Sequence, residues 1–146
     1  MTTLTIEPAT PDDVEAVVAL WRACDLTRPW NDPVRDFHDA VLGATSAVLV
    51  GREPRPDGSA GAGDVVAAVM VGYDGHRGWV YYLGVDPARQ GAGYGRELVV
   101  AAEAWLAAAG AVKVQLMVRR TNEKVVGFYE ALGYTDQECV VLGRRF

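Results

Sequence analysis

Three glycines lie within five positions of the segment VDPARQGAGYG, residues 85–95, between an apolar run and a stretch with helical periodicity. At the start of a helix the first backbone N–H groups have no partner within the helix, and the helix dipole favours an anion there. Glycine allows the backbone to approach such an anion closely. The segment therefore predicts a phosphate-binding turn, although a strand-to-helix turn without a ligand has the same pattern.

Two common phosphate-binding motifs do not fit this segment. A Walker loop ends in Gly-Lys-Ser or Gly-Lys-Thr, whereas Gly95 is followed by Arg96 and Glu97. A dinucleotide-binding fold places its glycine turn after the first strand, whereas this turn lies past the middle of the chain. The segment favours a different ligand that contains a pyrophosphate.

The chain has 146 residues, 50% of them hydrophobic, which predicts a single domain over residues 1–146 with one buried core. A formal net charge of −5 argues against a nucleic acid partner. The sequence shows no secretory signal and no apolar run near the roughly 20 residues that a membrane span needs. Cys24 and Cys139 form no metal-binding pattern. We therefore expect a cytoplasmic protein without a bound metal, a membrane contact or a nucleic acid partner.

The order of elements predicts an α/β or α+β domain. The run GWVYYLGV is apolar on both faces, which is typical of an inner strand. Thr10 and then Asn31 or Asp32 are suited to cap the first two helices, and Gly110 and Gly133 to end the later ones. The glycine-rich segment 54–63 predicts a mobile hairpin tip. The predicted strands are residues 4–8, 46–53, 64–75, 78–85, 112–118 and 139–146.

Two motifs resemble the GCN5-related N-acetyltransferase (GNAT) family. Gln90, Gly93 and Gly95 match its acetyl-coenzyme A signature, which is Arg or Gln, two residues, Gly, one residue, then Gly or Ala. In TNEKVVGFYEALGY, Asn122, Tyr129 and the final Leu-Gly-Tyr match its later segment. The element order agrees over nearly the whole chain. The segments RPWNDP and GYDGHRG further resemble a bacterial subgroup of small acetyltransferases, the YpeA-like proteins.

The resemblance implies a mixed central sheet with a splayed central strand pair and helices on both faces. It implies acetyl-coenzyme A as co-substrate, with the pantetheine arm between the splayed strands and Gly84 at a bulge. Backbone groups of Leu83 and Val85 would bind the pantetheine amides, and N–H groups of the glycine turn the pyrophosphate. The coenzyme-binding residues expected from the resemblance are Leu83, Gly84, Val85, Gln90, Gly91, Ala92, Gly93, Tyr94, Gly95, Arg96, Asn122 and Tyr129. The alternative for Asn122 is to cap the helix that follows it.

The reaction implied is transfer of an acetyl group to a primary amine, either a protein lysine or N-terminus or a small amine. Family members that acetylate protein N-termini often carry a glutamate at the position of Met117. Its absence leaves a second hypothesis open, a non-catalytic module that binds acetyl-coenzyme A. Family members are often dimers, so a homodimer is also expected.

Two of the segments that carry the resemblance contain side chains suited to acid–base catalysis. Tyr129 matches the tyrosine near the coenzyme sulfur and is the candidate general acid, or else an aromatic core residue beside Phe128. His76 is a candidate general base, or else a hairpin-turn residue. Asp74, Asp86 and Glu123 are further candidates for the base, and a water chain to bulk solvent is an alternative to any side chain.

The acceptor is expected at the connection between the first two helices, as in the family. Trp30 offers a flat apolar wall, and Asp32 offers an anion for a cationic amine. Asn31 and Asp74 complete the predicted acceptor-binding set. The alternative is a rigid linker between prolines, in which Asn31 or Asp32 caps the next helix.

Overall fold

The computed structural model describes residues 3–55, 57 and 63–146. The chain forms two compact units, Met1–Leu116 and Met117–Phe146. Most of the predicted hairpin tip, Pro56 and residues 58–62, lies outside the described residues. The single domain over residues 1–146 stays a prediction.

The first unit holds all the strands and three of the helices that the structure describes. Short 3-10 turns at Pro11–Asp13 and Pro87–Arg89 precede α1 and the glycine turn. The second unit holds α4, Glu123–Ala131. The elements of the first unit are β1 Thr5–Pro8, α1 Val14–Ala23, α2 Pro33–Leu42, β2 Ser46–Arg52, β3 Val65–Tyr73, β4 Gly78–Val85, α3 Tyr94–Ala109 and β5 Val114–Leu116.

The five strands form one mixed sheet in the order β1-β2-β3-β4-β5. The pairs from β1 to β4 are antiparallel, whereas β4 and β5 are parallel. β5 pairs only with Gly78, Trp79 and Val80 at the start of β4. The structure therefore confirms a mixed α/β sheet, in which β4 and the edge strand β5 share only a short pairing.

Helices cover both faces of this sheet. One core cluster joins α3, through Leu98, Ala102 and Leu106, to one face of the strands. A second cluster joins α1 and α2 to the other face, with Trp21 and Phe37 fully buried. Burying each such side chain stabilises the fold by about 1.5–3 kcal/mol.

Short polar contacts lie at the beginnings and ends of the helices. The sequence predicts Thr10 as the cap of the first helix, but Thr10 precedes the 3-10 turn, where its N–H donates to Asp13 Oδ2 at 2.9 Å, and α1 begins only after Asp13. Asp32 Oδ1 accepts from the N–H groups of Val34 and Arg35, both at 3.1 Å, and caps α2. Gly110 ends α3 with φ of 111°, a left-handed conformation that glycine adopts without strain.

The predicted closing strand at residues 139–146 is wrong. No strand forms there, and large hydrophobic side chains in the segment are exposed, including Val140 at 80% and Leu142 at 89%. In the second unit, all of which is described, α4 is the single regular element, so the segment has no strand to pair with there. The predicted strand 112–118 is likewise reduced to Val114–Leu116.

Among the described residues, no helix combines the length and the apolar character needed to cross a bilayer.

Candidate functional site

The second half of β4 has a strand partner on one side only. β5 stops pairing at Val80, whereas β4 continues to Val85. Among the described residues no strand lies against residues 81–85 on that side, so backbone groups that face it have no strand partner and could pair with an extended ligand. Val85 O is an exception, because it already accepts from the Cys24 thiol and from Gln90 Nε2. Leu83, Gly84 and Val85, predicted to hold the pantetheine arm, all lie in this part.

A β-bulge interrupts β4 at the same place. Ala68 pairs with Gly84 and Met70 with Tyr81, so two residues of β4 oppose Val69 alone. The bulge therefore lies at Tyr82 and Leu83, and its predicted position at Gly84 is wrong.

Gly84 serves the packing of α1 instead. A Cβ atom at Gly84 would lie 3.1 Å from both Cys24 Sγ and Leu26 Cδ1, tighter than ordinary contact. The Cys24 thiol also donates to Val85 O at 3.2 Å, and burial raises the pKa of that thiol. A glycine at this position lets the end of α1 lie directly on β4.

Tyr82 holds the bulge in an unusual backbone conformation. Its φ is 55°, and a left-handed conformation costs a residue with a Cβ about 1–2 kcal/mol. The ring stacks on Trp21 with centroids 4.2 Å apart, and the hydroxyl donates to Asp36 Oδ2 at 2.7 Å. Burial and then the Asp36 carboxylate raise the pKa of Tyr82. The sequence gives no local sign of this cluster, because Asp36 lies 46 positions away.

We expect Tyr82→Phe to destabilise the fold by about 1 kcal/mol, because it removes a hydrogen bond to a charged group that is partly exposed. Urea unfolding measures this loss. Tyr81→Phe is the matched control, since the Tyr81 hydroxyl makes no hydrogen bond with a described residue. An unchanged unfolding midpoint for Tyr82→Phe would show that the Asp36 contact does not stabilise the bulge.

The glycine turn follows β4 and leads into α3. Gly91 and Gly93 have φ of 87° and 84°, and a Cβ at either would meet no atom within 4 Å. Glycine is needed at both positions because φ is positive there, and not because a side chain would clash with a neighbouring atom. The Glu97 N–H donates to Gly93 O at 3.1 Å, which leaves the N–H groups of Tyr94, Gly95 and Arg96 without helical partners. The turn thus presents backbone donors at the positive end of a helix dipole.

The side chains of the turn brace it against the sheet. Arg89 Nε donates to Glu53 Oε1 at 2.8 Å, and the hydroxyl of the buried Tyr94 donates to the same oxygen at 3.2 Å. Asp86, a candidate base, accepts from the Ala88 N–H at 2.9 Å and caps the 3-10 turn. The sequence analysis did not identify Glu53, which lies 36 positions from Arg89.

We expect Glu53→Ala to weaken acetyl-coenzyme A binding about 3- to 10-fold, because Arg89 and Tyr94 lose the acceptor that fixes the turn. Calorimetric titration with the coenzyme measures this. Asp39→Ala, which breaks an exposed ion pair with Arg35 on α2, serves as control. Equal affinities for the two variants would contradict the bracing role of Glu53.

The connection between α1 and α2 forms an open groove of about 510 Å³. Trp30 beside it is 53% exposed. Asp32 caps α2, as the alternative expectation held, and its role towards an amine stays a prediction. The groove is lined by Arg22, Thr27, Arg28, Pro29, Asn31, Asp32 and Pro33.

Asp74 and His76 lie in the hairpin between β3 and β4. Asp74 Oδ1 accepts from the N–H groups of His76 at 2.8 Å and Arg77 at 2.7 Å, and these bonds hold the pKa of Asp74 below its usual value. The whole of β4, about 25 Å at its strand rise, separates this hairpin from the glycine turn. The structure thus places His76 in a turn, and its role as a base stays a prediction.

The second unit carries the residues of the later motif. Asn122 Oδ1 accepts from the Val125 N–H at 3.4 Å, so Asn122 caps α4. Tyr129 is buried, with its ring edge-on to Phe128 and Tyr134 at 5.0 and 5.5 Å. Burial raises the pKa of Tyr129 to about 12, so the phenol stays protonated at neutral pH. This environment fits both a core aromatic and a proton donor.

Metal ligands were sought in the described ranges. Across residues 3–55, 57 and 63–146, no group of three or more His, Cys, Asp or Glu side chains is placed to hold a metal ion.

Comparison with known sequences extends over most of the chain. Residues 15–134 match the sequence profile of the Acetyltransferase (GNAT) family. An acetyltransferase of Pectobacterium atrosepticum is 44% identical over 134 residues, which cover 92% of this chain and 89% of that protein. An acetyltransferase of Yersinia enterocolitica is 42% identical over 133 residues, or 91% and 89% of the two chains.

Comparison with solved structures gives the same fold. A variant of the BH1408 protein from Bacillus halodurans is 25% identical, with a TM-score of 0.74 over 97% of this chain and 99% of that one. An aminoglycoside N-acetyltransferase in complex with CoA is 15% identical, with a TM-score of 0.79 over 99% and 96% of the two chains. At that identity the second likeness concerns the fold alone.

Proposed function

Because this chain belongs to the GNAT family of acetyltransferases, we propose that it transfers the acetyl group of acetyl-coenzyme A to a primary amine. One observation carries the proposal. The unpaired edge of β4 leads directly into a turn whose N–H groups have no helical partner, so a single stretch of backbone offers amide partners and then anion donors. A pantetheine arm followed by a pyrophosphate has the same order of chemical groups.

Each part of this stretch has its own binding task. Backbone groups of Leu83 and Val85 hold the pantetheine amides in the manner of a strand partner, and the bulge at Tyr82 lies just beyond Val80, the last residue of β4 that pairs with β5. Backbone N–H groups from Gln90 to Arg96 hold the pyrophosphate, and Glu53 keeps the turn in place. Gly91 and Gly93 have positive φ, which glycine adopts without strain, and this backbone conformation allows the arrangement.

The bound coenzyme supplies a thioester whose acetyl carbon the amine attacks, so that a C–N bond forms and the C–S bond breaks. The departing thiolate needs a proton, and Tyr129 is the proposed donor because its phenol is protonated at neutral pH. The attacking amine must lose a proton, for which His76 stays the candidate among the side chains. A homodimer and a cytoplasmic location also stay predictions.

A screen of amines and peptides by mass spectrometry tests the proposal, with acetyl-coenzyme A as donor and EDTA present. We expect a product heavier by one acetyl group that is absent when the protein is omitted. Coenzyme binding without any acetylated product would instead favour a non-catalytic module, for which Met117 in place of a glutamate is the motivating feature. Failure to bind the coenzyme would overturn both functions.

A further inference from the structure

The groove between α1 and α2 differs in charge from the protein as a whole. The chain carries a net charge of −5, yet the charged residues lining the groove are Arg22, Arg28 and one acid, Asp32. Thr27 and Asn31 add a hydroxyl and an amide. A groove with this lining offers mainly hydrogen-bond donors.

Hydrogen bonds within the groove determine which of these charged groups already have a partner. The two N–H groups at the start of α2 already engage Asp32 Oδ1. Arg28 Nη1 donates to the carbonyl oxygens of Asp25 and Thr27, at 2.9 and 2.8 Å, and lies 3.6 Å from the exposed carboxylate of Asp25, which fixes one side of its guanidinium. Arg22 is exposed, and its guanidinium makes no hydrogen bond or ion pair with a described residue. The guanidinium of Arg22 is therefore the free charge of the groove.

The lining of the groove is close in sequence to residues that contact β4. Two of its residues directly follow residues that contact β4. Arg22 follows Trp21, whose ring stacks on Tyr82, and Thr27 follows Leu26, which lies 3.1 Å from the Cβ position of Gly84. A molecule held in the groove is thus near the strand where the acetyl donor is proposed to bind.

From these observations we infer that the groove binds an anionic group of the acceptor, a carboxylate or a phosphate, through Arg22 and Arg28. The inference rests on the proposed function for the identity of the bound molecule as acceptor. It defines the substrate class as an amine that carries a second, negatively charged group, such as an amino acid. A guanidinium binds both oxyanions through paired N–H donors, so the chemistry is shared by the two groups.

Acceptors that differ only in the anionic group test this directly. Lysine is compared with cadaverine, which is lysine without its carboxylate, and phosphoethanolamine with ethanolamine. We expect the anionic member of at least one pair to have a kcat/KM about tenfold higher or more, and the preferred pair identifies carboxylate or phosphate. Arg22→Gln should abolish the preference by raising KM, with kcat nearly unchanged. Arg35→Gln, on the exposed surface of α2, should retain it.

A binding measurement separates this inference from the proposed function. Amide resonances of Thr27, Arg28 and Asn31 are followed by NMR while glutarate, inorganic phosphate or cadaverine is added to the coenzyme-loaded protein. Saturable shifts with an anion, lost in Arg22→Gln, support the inference even if no amine is acetylated. Acetylation without any preference for the anionic member, or no shift with either anion, would overturn it and leave the acetyltransferase function intact.

Discussion

Replacing Gly93 with valine is expected to lower the affinity for acetyl-coenzyme A by about 100-fold while the protein stays folded. Gly93 has φ of 84°, where an L-residue pays about 1–2 kcal/mol and a β-branched one more. The turn relieves this strain by moving its backbone, and the N–H groups that follow then lose their common direction. Because about 1.4 kcal/mol corresponds to a tenfold change in affinity, strain and lost donors together account for the expected loss.

A matched substitution at the other end of the same helix controls for strain. Gly110 has φ of 111°, and a Cβ there would meet only Tyr73 atoms at 3.7 Å or more. Gly110→Val is expected to lower the melting temperature by a comparable amount and to leave coenzyme affinity unchanged. Calorimetric titration and thermal unfolding of both variants measure the two effects. A folded Gly93→Val protein with wild-type affinity would remove the glycine turn from coenzyme binding.

Features that depend on neighbours in sequence could be predicted well. Asp32 caps α2 and Asn122 caps α4, since each side chain needs only the N–H groups two or three residues further on. Gly110 and Gly133 end their helices with positive φ, as expected of glycine after a helix. The order of strands and helices follows from the same local patterns up to residue 134.

Features that depend on distant residues could not be predicted. The extra residue of the β4 bulge is near Tyr82 and not at the glycine, because the Trp21 ring and the Asp36 carboxylate stabilise a conformation that tyrosine rarely adopts. Glu53 braces the glycine turn through Arg89, a contact that no spacing rule indicates. The residues 139–146 have the composition of a strand, but composition does not provide a pairing partner.

The charge of the groove between α1 and α2 could likewise not be predicted from the sequence. The sequence places Arg28 and Asp32 close together, and either sign could have been taken as the recognising group. The structure engages the Asp32 carboxylate with the start of α2 and leaves the Arg22 guanidinium free. Which charge remains for a ligand is decided by hydrogen bonds and not by the residue count.

Tyr129→Phe is expected to lower turnover by about 10²–10⁴-fold while affinity for acetyl-coenzyme A stays nearly unchanged. A proton donor to the departing thiolate acts in the transition state and not in ground-state binding, and general acid catalysis has this magnitude. Phenylalanine keeps the ring contacts with Phe128 and Tyr134, so packing should survive. Burial raises the pKa of Tyr129 to about 12, so its proton should not limit the wild-type rate until the pH approaches that value.

The measurement needs an acceptor from the amine screen, followed by steady-state rates and calorimetric coenzyme titrations for each variant. Tyr134→Phe removes the hydroxyl of a neighbouring tyrosine and should change turnover much less, which separates a specific proton donor from a general loss of packing. His76→Gln, in the exposed hairpin turn, should likewise have a small effect. A Tyr129→Phe enzyme within about twofold of wild type would exclude the phenol as the acid, given the size of general acid catalysis. Impairment of His76→Gln alone, with a shifted pH profile, would instead make the histidine the leading acid–base group.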